Sequence, residues 1–284
     1  MSAAADAWPL ERFGGESELE MTRTNESGLP TADMVERHGA LRSAVLHLAP
    51  GGVALFAYLF LCAPLSVALG LPGKMGFVLM DVLVLIPVLL GLLLYFGRRR
   101  NGRWTLDGIV LNRRRLAARE LSVVLLALFG WGAIVMLCLS WTEPLLRARL
   151  FYWVPVSLLN AEKLDVTGYS PALLIGTRVA SIALVGVAGP IAEELYFRGF
   201  LLPRVSWMGA WAPAWQAVLF TGYHFLSPWA FVWRVIVLIP AIYAVQRKQS
   251  LSIGVWGHCL GNTVGEFLAL AAVLQAIGNR GAAL

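Results

Sequence analysis

Charged residues are scarce in this chain of 284 residues. Asp, Glu, Lys and Arg together make up 14% of it, whereas hydrophobic residues make up 58%. A soluble domain usually has about a quarter of its residues charged. The deficit excludes an ordinary soluble domain and indicates a membrane protein with several spans.

Cysteine is also rare, and the three cysteines fall inside apolar stretches without CxxC spacing. Such residues behave as small hydrophobes, so Cys62, Cys138 and Cys259 are interpreted as buried thiols. The N-terminus lacks a basic segment followed by an apolar run, so no cleavable signal peptide is predicted. A helix with the HExxH zinc motif is missing as well.

The charges that are present are unevenly distributed. Residues 1–50 contain eight acidic residues and four arginines, a net charge of −4, which leaves +10 for the rest of a chain whose total is +6. We expect residues 1–50 to form a polar, mostly disordered cytoplasmic tail. Within it, 37–48 could form a short amphipathic surface helix that Pro50-Gly51-Gly52 stops.

The apolar runs predict an all-α fold, a polytopic bundle of about seven to eight transmembrane helices. A span needs about 20 mostly apolar residues. The predicted spans are approximately 53–71, 75–96, 121–141, 172–202, 212–226, 229–245 and 251–277. We divide them into N-terminal transmembrane helices in 51–170 and a core in 171–277.

The loop at 98–120 sets the expected orientation. It contains eight arginines: Arg98, Arg99, Arg100, Arg103, Arg113, Arg114, Arg115 and Arg119. Basic loops of this length stay on the cytoplasmic side, which also puts the N-terminus there, two spans earlier. The basic excess therefore indicates membrane topology, and nucleic acid is not an expected partner.

Two adjacent carboxylates interrupt an apolar segment that is predicted to span the membrane. Glu193 and Glu194 follow the apolar run 172–188, and Arg198 comes one helical turn later. Ionised groups in hydrocarbon cost about 3 kcal/mol each on insertion scales, so they need a partner or a function. Glu194 and Arg198 are spaced i,i+4 in the favourable order and can neutralise each other. Glu193 is rotated by about 100° and left without a local partner, which makes it a candidate general base.

Two further polar clusters lie on later predicted spans. His224 follows Phe220 by four residues, and Asn262 follows His258 by the same interval. The second pair lies on one side of its helix, and nearby glycines permit close helix packing. Polar groups on three helices are expensive to bury unless they meet. We therefore predict that His224, His258 and Asn262 converge with Glu193.

Three other charged residues, Asp81, Arg178 and Arg234, lie near the predicted outer ends of spans. Long basic side chains can extend to the membrane interface, and opposite charges can pair between helices. We interpret these three residues as snorkelling groups or as members of interhelical ion pairs.

The three polar clusters together resemble the motifs of the CPBP family of intramembrane proteases. That family includes CAAX prenyl endopeptidases and bacteriocin-processing or self-immunity proteins, and its pattern is EExxxR, FxxxH and HxxxN. The motif positions are occupied here by Glu193, Glu194, Arg198, Phe220, His224, His258 and Asn262. All three motifs are intact and in order, and the resemblance covers about residues 170–275.

The resemblance implies an intramembrane endopeptidase in which Glu193 and His224 activate a water molecule that attacks the scissile carbonyl. His258 and Asn262 would polarise that carbonyl and stabilise the oxyanion. The remaining motif residues would support the geometry of the site: Glu194, Arg198 and Phe220.

No cofactor is expected, because the glutamate-base mechanism also accounts for Asn262. The alternative is a zinc ion bound by Glu193, His224 and His258. A purified protein with stoichiometric zinc whose removal abolishes cleavage would contradict the metal-free mechanism.

Two functions without proteolysis are also compatible with these residues. A membrane scaffold or self-immunity factor could keep the family fold, although such a protein would be free to lose motif residues and this chain has lost none. A proton-coupled transporter could use buried Glu and His, but the sequence has no repeated half.

The expected partners are membrane lipid and a peptide or membrane-protein substrate. The expected location is a bacterial plasma membrane with the N-terminus in the cytoplasm.

Overall fold

The computed structural model describes residues 35–155, 158 and 166–281. The predicted disorder of 1–34 concerns residues outside this part of the chain. The described residues contain no strand and confirm the all-α class. The main helices are α1 Ala40–Ala68, α2 Gly73–Asn101, α3 Ala118–Leu139, α4 Thr142–Arg149, α5 Pro171–Arg204, α6 Ala212–Gly222, α7 Phe231–Lys248 and α8 Leu251–Gly281.

Six helices in the described residues are long and apolar enough to cross a membrane, namely α1, α2, α3, α5, α8 and α7 with its preceding turn. The chain is therefore an integral membrane protein, but the predicted count of seven to eight spans is not confirmed. The predicted span at 212–226 is wrong as a continuous helix, because α6 has 11 residues and ends at Gly222. At about 1.5 Å per residue it is roughly 16 Å long, about half the thickness of the hydrocarbon.

Helix α1 begins earlier than the sequence predicts. It starts at Ala40, so 40–50 is helical and 37–48 is not a separate surface helix. Pro50-Gly51-Gly52 does not stop it, although proline and glycine usually mark helix ends. Pro50 and Gly51 are both buried inside the helix. Packing on other parts of the chain therefore decides this stretch against its local tendency to break.

Helix α5 contains two π-helical segments, Leu184–Ala188 and Leu195–Leu201, on either side of Gly189–Glu194. Such wide turns change the regular pattern of backbone hydrogen bonds and often lie at functional sites. Buried carbonyl groups that a helix leaves unpaired need partners from elsewhere. Both π-helical segments have such partners.

The first π-helical segment is bonded to side chains of α8. Asn262 Nδ2 donates to the Val185 carbonyl at 3.2 Å, and Thr263 Oγ1 donates to the Gly186 carbonyl at the same distance. A methyl group at Gly186 would lie 3.1 Å from Thr263 Oγ1, so the small residue permits the close approach. These bonds hold the middle of α8 against α5.

The second π-helical segment is bonded to the loop between α2 and α3. The Leu111 N–H donates to the Gly199 carbonyl at 2.8 Å, and Asn112 Nδ2 donates to the Arg198 carbonyl at 3.0 Å. The Asn112 carbonyl in turn accepts from the Leu251 N–H at 2.6 Å. The basic loop therefore ties α5 to the start of α8.

An aromatic core lies beside these turns of α5. Tyr196, Phe197 and Phe200 are almost fully buried. The Phe197 ring centroid lies 4.9 Å from the rings of both Phe220 and Tyr223, which belong to α6 and the turn after it. This packing fixes α6 next to the two carboxylates of α5.

Candidate active site

Glu193 lies at the junction between the short α-helical segment of α5 and its second π-helical segment. The residue is 7% exposed. Its Oε1 accepts a hydrogen bond from the Tyr223 hydroxyl at 2.8 Å, and its Oε2 lies 3.6 Å from Nε2 of His258. The carboxylate that lacks a local partner in the sequence thus has two partners from distant parts of the chain.

Glu194 contacts two nitrogen-bearing side chains through one oxygen, Oε1, and its buried Oε2 has no hydrogen-bond partner among the described residues. The predicted ion pair with Arg198 is present at 3.3 Å, and the Glu194 side chain is 2% exposed. The same oxygen, Oε1, accepts a hydrogen bond from Nδ1 of His258 at 3.0 Å. A methyl group at Gly254 would collide with Glu194 Oε2, so glycine permits α8 to come this close. Glu194 therefore orients His258 as well as neutralising Arg198. The contact with His258 is not predicted by the sequence.

The ring of His258 bridges the two carboxylates. An ionised carboxylate can only accept hydrogen bonds, so Nδ1 carries a proton and donates a hydrogen bond to Glu194. Nε2 is directed toward Glu193. A second proton on Nε2 would let the ring donate to Glu193 or to a substrate oxygen.

His224 lies in the turn after α6 and not on a helix as predicted. Its Nδ1 donates to the Phe220 carbonyl at 2.7 Å, so Nε2 of the neutral ring is the proton acceptor. The Phe220 ring contacts the His224 ring edge-on at 4.8 Å, and the Arg198 guanidinium lies 3.9 Å from the Phe220 ring centroid. Phe220 therefore contacts both Arg198 and His224, and its supporting role stays a prediction.

Irregular backbone is tolerated at membrane depth where it is buried in protein or lines a cavity. Residues 223–227 after α6 all line one cavity of about 410 Å³. Glu193, His258 and Asn262 line the same cavity. The structure therefore brings together the four side chains that the sequence predicts to meet.

Asn262 uses its amide nitrogen for a hydrogen bond to the backbone of α5. Nδ2 has two hydrogens, and one of them is donated to the Val185 carbonyl. The other hydrogen remains available for a ligand in the cavity. The side chain can thus brace α5 and still act as a donor.

A second group of charges includes Lys74 and Glu266, which line the same cavity, and Arg178, which pairs with Glu266. Glu266 of α8 pairs with Lys74 of α2 at 3.0 Å and with Arg178 of α5 at 2.9 Å. The interhelical ion pair considered for Arg178 is therefore confirmed. Asp81 and Arg234, interpreted from the sequence as snorkelling groups or members of interhelical ion pairs, also line the cavity.

Sequence reasoning misses Tyr223 as a residue of the site. Its hydroxyl is the direct partner of Glu193, and the residue is 4% exposed. The available signal is its place beside His224, because a buried tyrosine usually needs a partner for its hydroxyl. The identity of that partner depends on the packing of α6 against α5.

In the described part of the chain, no group of three or more His, Cys, Asp or Glu side chains is arranged to hold a metal ion. The ligand set of the zinc alternative, Glu193, His224 and His258, is therefore not assembled there. The mechanism without a cofactor stays a prediction.

Residues 175–264 match the model of the Rce1-like family, described as type II CAAX prenyl endopeptidase Rce1-like. The resemblance to the CPBP family of CAAX proteases is confirmed. The matched segment of this CPBP-like chain is about a third of its length and contains all three motifs. No curated protein and no solved structure matches the chain. Helices α1 to α3 lie outside the segment that the family model describes.

Proposed function

We propose that the protein is an intramembrane endopeptidase that hydrolyses a peptide bond with a water molecule activated by Glu193 and His224. The observation that carries this proposal is the convergence of both residues with His258 and Asn262 on one cavity. The family match supports the peptidase class. General acid–base catalysis of this kind contributes about 10²- to 10⁴-fold to a rate.

Glu193 is the base in this mechanism. It takes a proton from water while Nε2 of His224 accepts a hydrogen bond from the same molecule. The resulting hydroxide attacks the scissile carbonyl carbon and forms a tetrahedral intermediate. Glu193 then gives its proton to the nitrogen of the leaving peptide, so the carboxylate is regenerated when the C–N bond breaks.

His258 and Asn262 stabilise the oxyanion of the intermediate. The Asn262 amide has a hydrogen beyond the one given to Val185. His258, held at Nδ1 by Glu194, supplies a donor when Nε2 is protonated. Preorganised donors of this kind are worth about 10²- to 10³-fold each in acyl transfer.

The proposed substrate is a peptide or a membrane protein that reaches the cavity from the lipid. The family description names CAAX prenyl endopeptidases, so a prenylated CAAX peptide is the first substrate to test. The arginines that end α2 and follow it favour a cytoplasmic position for that loop and for the N-terminus. The proposed location is a bacterial plasma membrane.

Quantitative proteomics of membranes from wild-type cells and from cells with Glu193→Gln tests this proposal. We expect at least one membrane protein to accumulate uncut in the variant. Glu120→Gln is the matched control, because this carboxylate forms a partly exposed ion pair with Lys248 and neither residue lines the cavity. If neither variant accumulates an uncut protein, the non-catalytic scaffold replaces the peptidase.

A further inference from the structure

We propose that Tyr223 is a positioning residue for Glu193, and that α1 holds Tyr223 in place through Gly51. This inference deepens the proposed peptidase function and rests on it. It also assigns a role in the site to a helix that lies outside the matched segment 175–264.

The Tyr223 hydroxyl distinguishes the two oxygens of the Glu193 carboxylate. It donates to Oε1 at 2.8 Å, which leaves Oε2 on the side of His258. A carboxylate turns about its last bond with a broad torsional preference, so a fixed hydrogen bond is needed to select one orientation. The proposed proton transfer depends on that orientation, because misplacement of a reacting group by about 1 Å can cost about 10²-fold in rate.

The direction of the Tyr223 hydroxyl is itself fixed by packing. The ring lies 4.9 Å from the Phe197 ring and 4.7 Å from the His224 ring, measured between centroids. Tyr223 and His224 are neighbours in the same turn. A contact that fixes Tyr223 therefore helps to fix both members of the proposed water-activating pair.

Gly51 of α1 provides that contact. A methyl group at this position would collide with the Tyr223 carbonyl oxygen and lie 2.8 Å from Cδ2 of the same residue. At the adjacent Gly52, a methyl group would meet nothing within 4 Å. Both positions are glycine, but only at Gly51 does the close approach of Tyr223 exclude a side chain.

Tyr223→Phe tests the hydrogen bond because it removes the hydroxyl and keeps the ring. A hydrogen bond to a charged group is typically worth enough for an effect of about 10- to 100-fold. We expect kcat for a prenylated CAAX peptide to fall by about this factor, with KM changed less than about twofold. Tyr196→Phe is the matched control, since its hydroxyl donates at 2.9 Å to the Leu46 carbonyl and not to Glu193. We expect its kcat to stay within about twofold of wild type.

Gly51→Ala and Gly52→Ala test the support from α1. We expect Gly51→Ala to lower kcat at least about tenfold, because Tyr223 must shift, and Gly52→Ala to leave it within about twofold. Thermal unfolding in detergent shows whether each variant is folded. A folded Gly51→Ala enzyme with wild-type kcat overturns the support from α1, and Tyr223→Phe tests the hydrogen bond whether or not Gly51→Ala folds.

The outcomes separate this inference from the function on which it rests. A Tyr223→Phe enzyme with wild-type kcat overturns the positioning role, as does one in which only KM rises, because that result indicates a substrate contact. A Glu193→Gln enzyme that cleaves as well as wild type overturns the proposed function instead. Loss of activity in Glu193→Gln together with normal Tyr223→Phe activity leaves the function intact and rejects this inference alone.

Discussion

Two groups of buried charges lie beside the same cavity, which is lined by Lys74 and Glu266 of one group and by Glu193 and His258 of the other, and the two groups are paired differently. In the first, Glu266 contacts both Lys74 and Arg178 at about 3 Å, and each side chain is at most 12% exposed. In the second, Glu194 contacts both Arg198 and His258. Glu193 accepts a hydrogen bond from the Tyr223 hydroxyl and lies 3.6 Å from Nε2 of His258. Unlike Glu266 and Glu194, Glu193 is thus contacted by a tyrosine and a histidine rather than by a lysine or an arginine.

This difference in pairing separates charged residues that hold helices together from a carboxylate that can act as a base. A buried ion pair that is fully compensated joins helices, and removing one partner leaves an uncompensated charge. A carboxylate held mainly by neutral donors keeps a lone pair for a proton from water. We therefore expect changes in the Glu266 group to affect stability, and changes around Glu193 to affect turnover.

The largest expected effect is a loss of turnover when a residue of the group around Glu193 is changed. His224→Gln removes a proton acceptor beside the water and should lower kcat by about 10²- to 10⁴-fold. His47→Gln is its matched control, because Nδ1 of His47 also bonds a carbonyl four residues earlier at 2.7 Å. Hydrolysis assays on both purified variants check this. Equal losses in the two would mean that His224 acts only through packing.

Glu266→Gln tests whether the ion pairs of Glu266 stabilise the fold. Loss of this charge leaves Lys74 and Arg178 facing each other without a carboxylate, which should cost about 3–5 kcal/mol of unfolding free energy. Chemical unfolding in detergent measures the change. Replacing all three residues with apolar side chains of similar size should restore most of the stability. An unchanged unfolding free energy in Glu266→Gln would show that the cluster does not hold the helices.

A smaller effect is expected where α8 approaches Glu194. Gly254→Ala adds a methyl group that would collide with Glu194 Oε2, whereas Gly265→Ala meets nothing within 4 Å. Overpacking of this kind costs about 1–3 kcal/mol. We expect Gly254→Ala to lower both stability and kcat, because His258 is displaced, and Gly265→Ala to change neither. If both variants behave alike, the close approach at Gly254 has no role.

The smallest expected effect is that of metal removal. Treatment of the purified protein with a chelator should leave kcat within about twofold of its initial value, because the proposed mechanism needs only water and side chains. Elemental analysis before and after treatment provides the control. Stoichiometric zinc whose loss abolishes cleavage would contradict the mechanism and favour the alternative ligand set.

Hydropathy and motif spacing predict the long helices well and the short ones poorly. Six of the seven predicted spans, all except 212–226, overlap span-length helices, because about 20 apolar residues have few alternatives to a membrane helix. The segment 212–226 has the same composition. Its break after Gly222 depends on tertiary contacts of the following turn, and a hydropathy window does not contain them.

In the candidate site, too, some features can be predicted from the sequence and others depend on tertiary packing. The four predicted site residues, all of which line the cavity, are identifiable from the sequence because each is a polar group in an apolar run. The contacts of Glu194 with His258 and of Glu193 with Tyr223 join residues 64 and 30 positions apart. Such contacts depend on how α5, α6 and α8 pack. The i,i+4 pair of Glu194 and Arg198 was predictable because helix geometry alone brings the two together.

The most direct test of the central claim is cleavage by purified protein in lipid nanodiscs, with water enriched in ¹⁸O. Wild type and Glu193→Gln are compared on a prenylated CAAX peptide and on the protein that accumulates uncut in the variant cells. The account predicts that wild type releases products with one ¹⁸O in the new carboxylate and that Glu193→Gln is slower by at least about 10²-fold. Equal rates for the two proteins would contradict it.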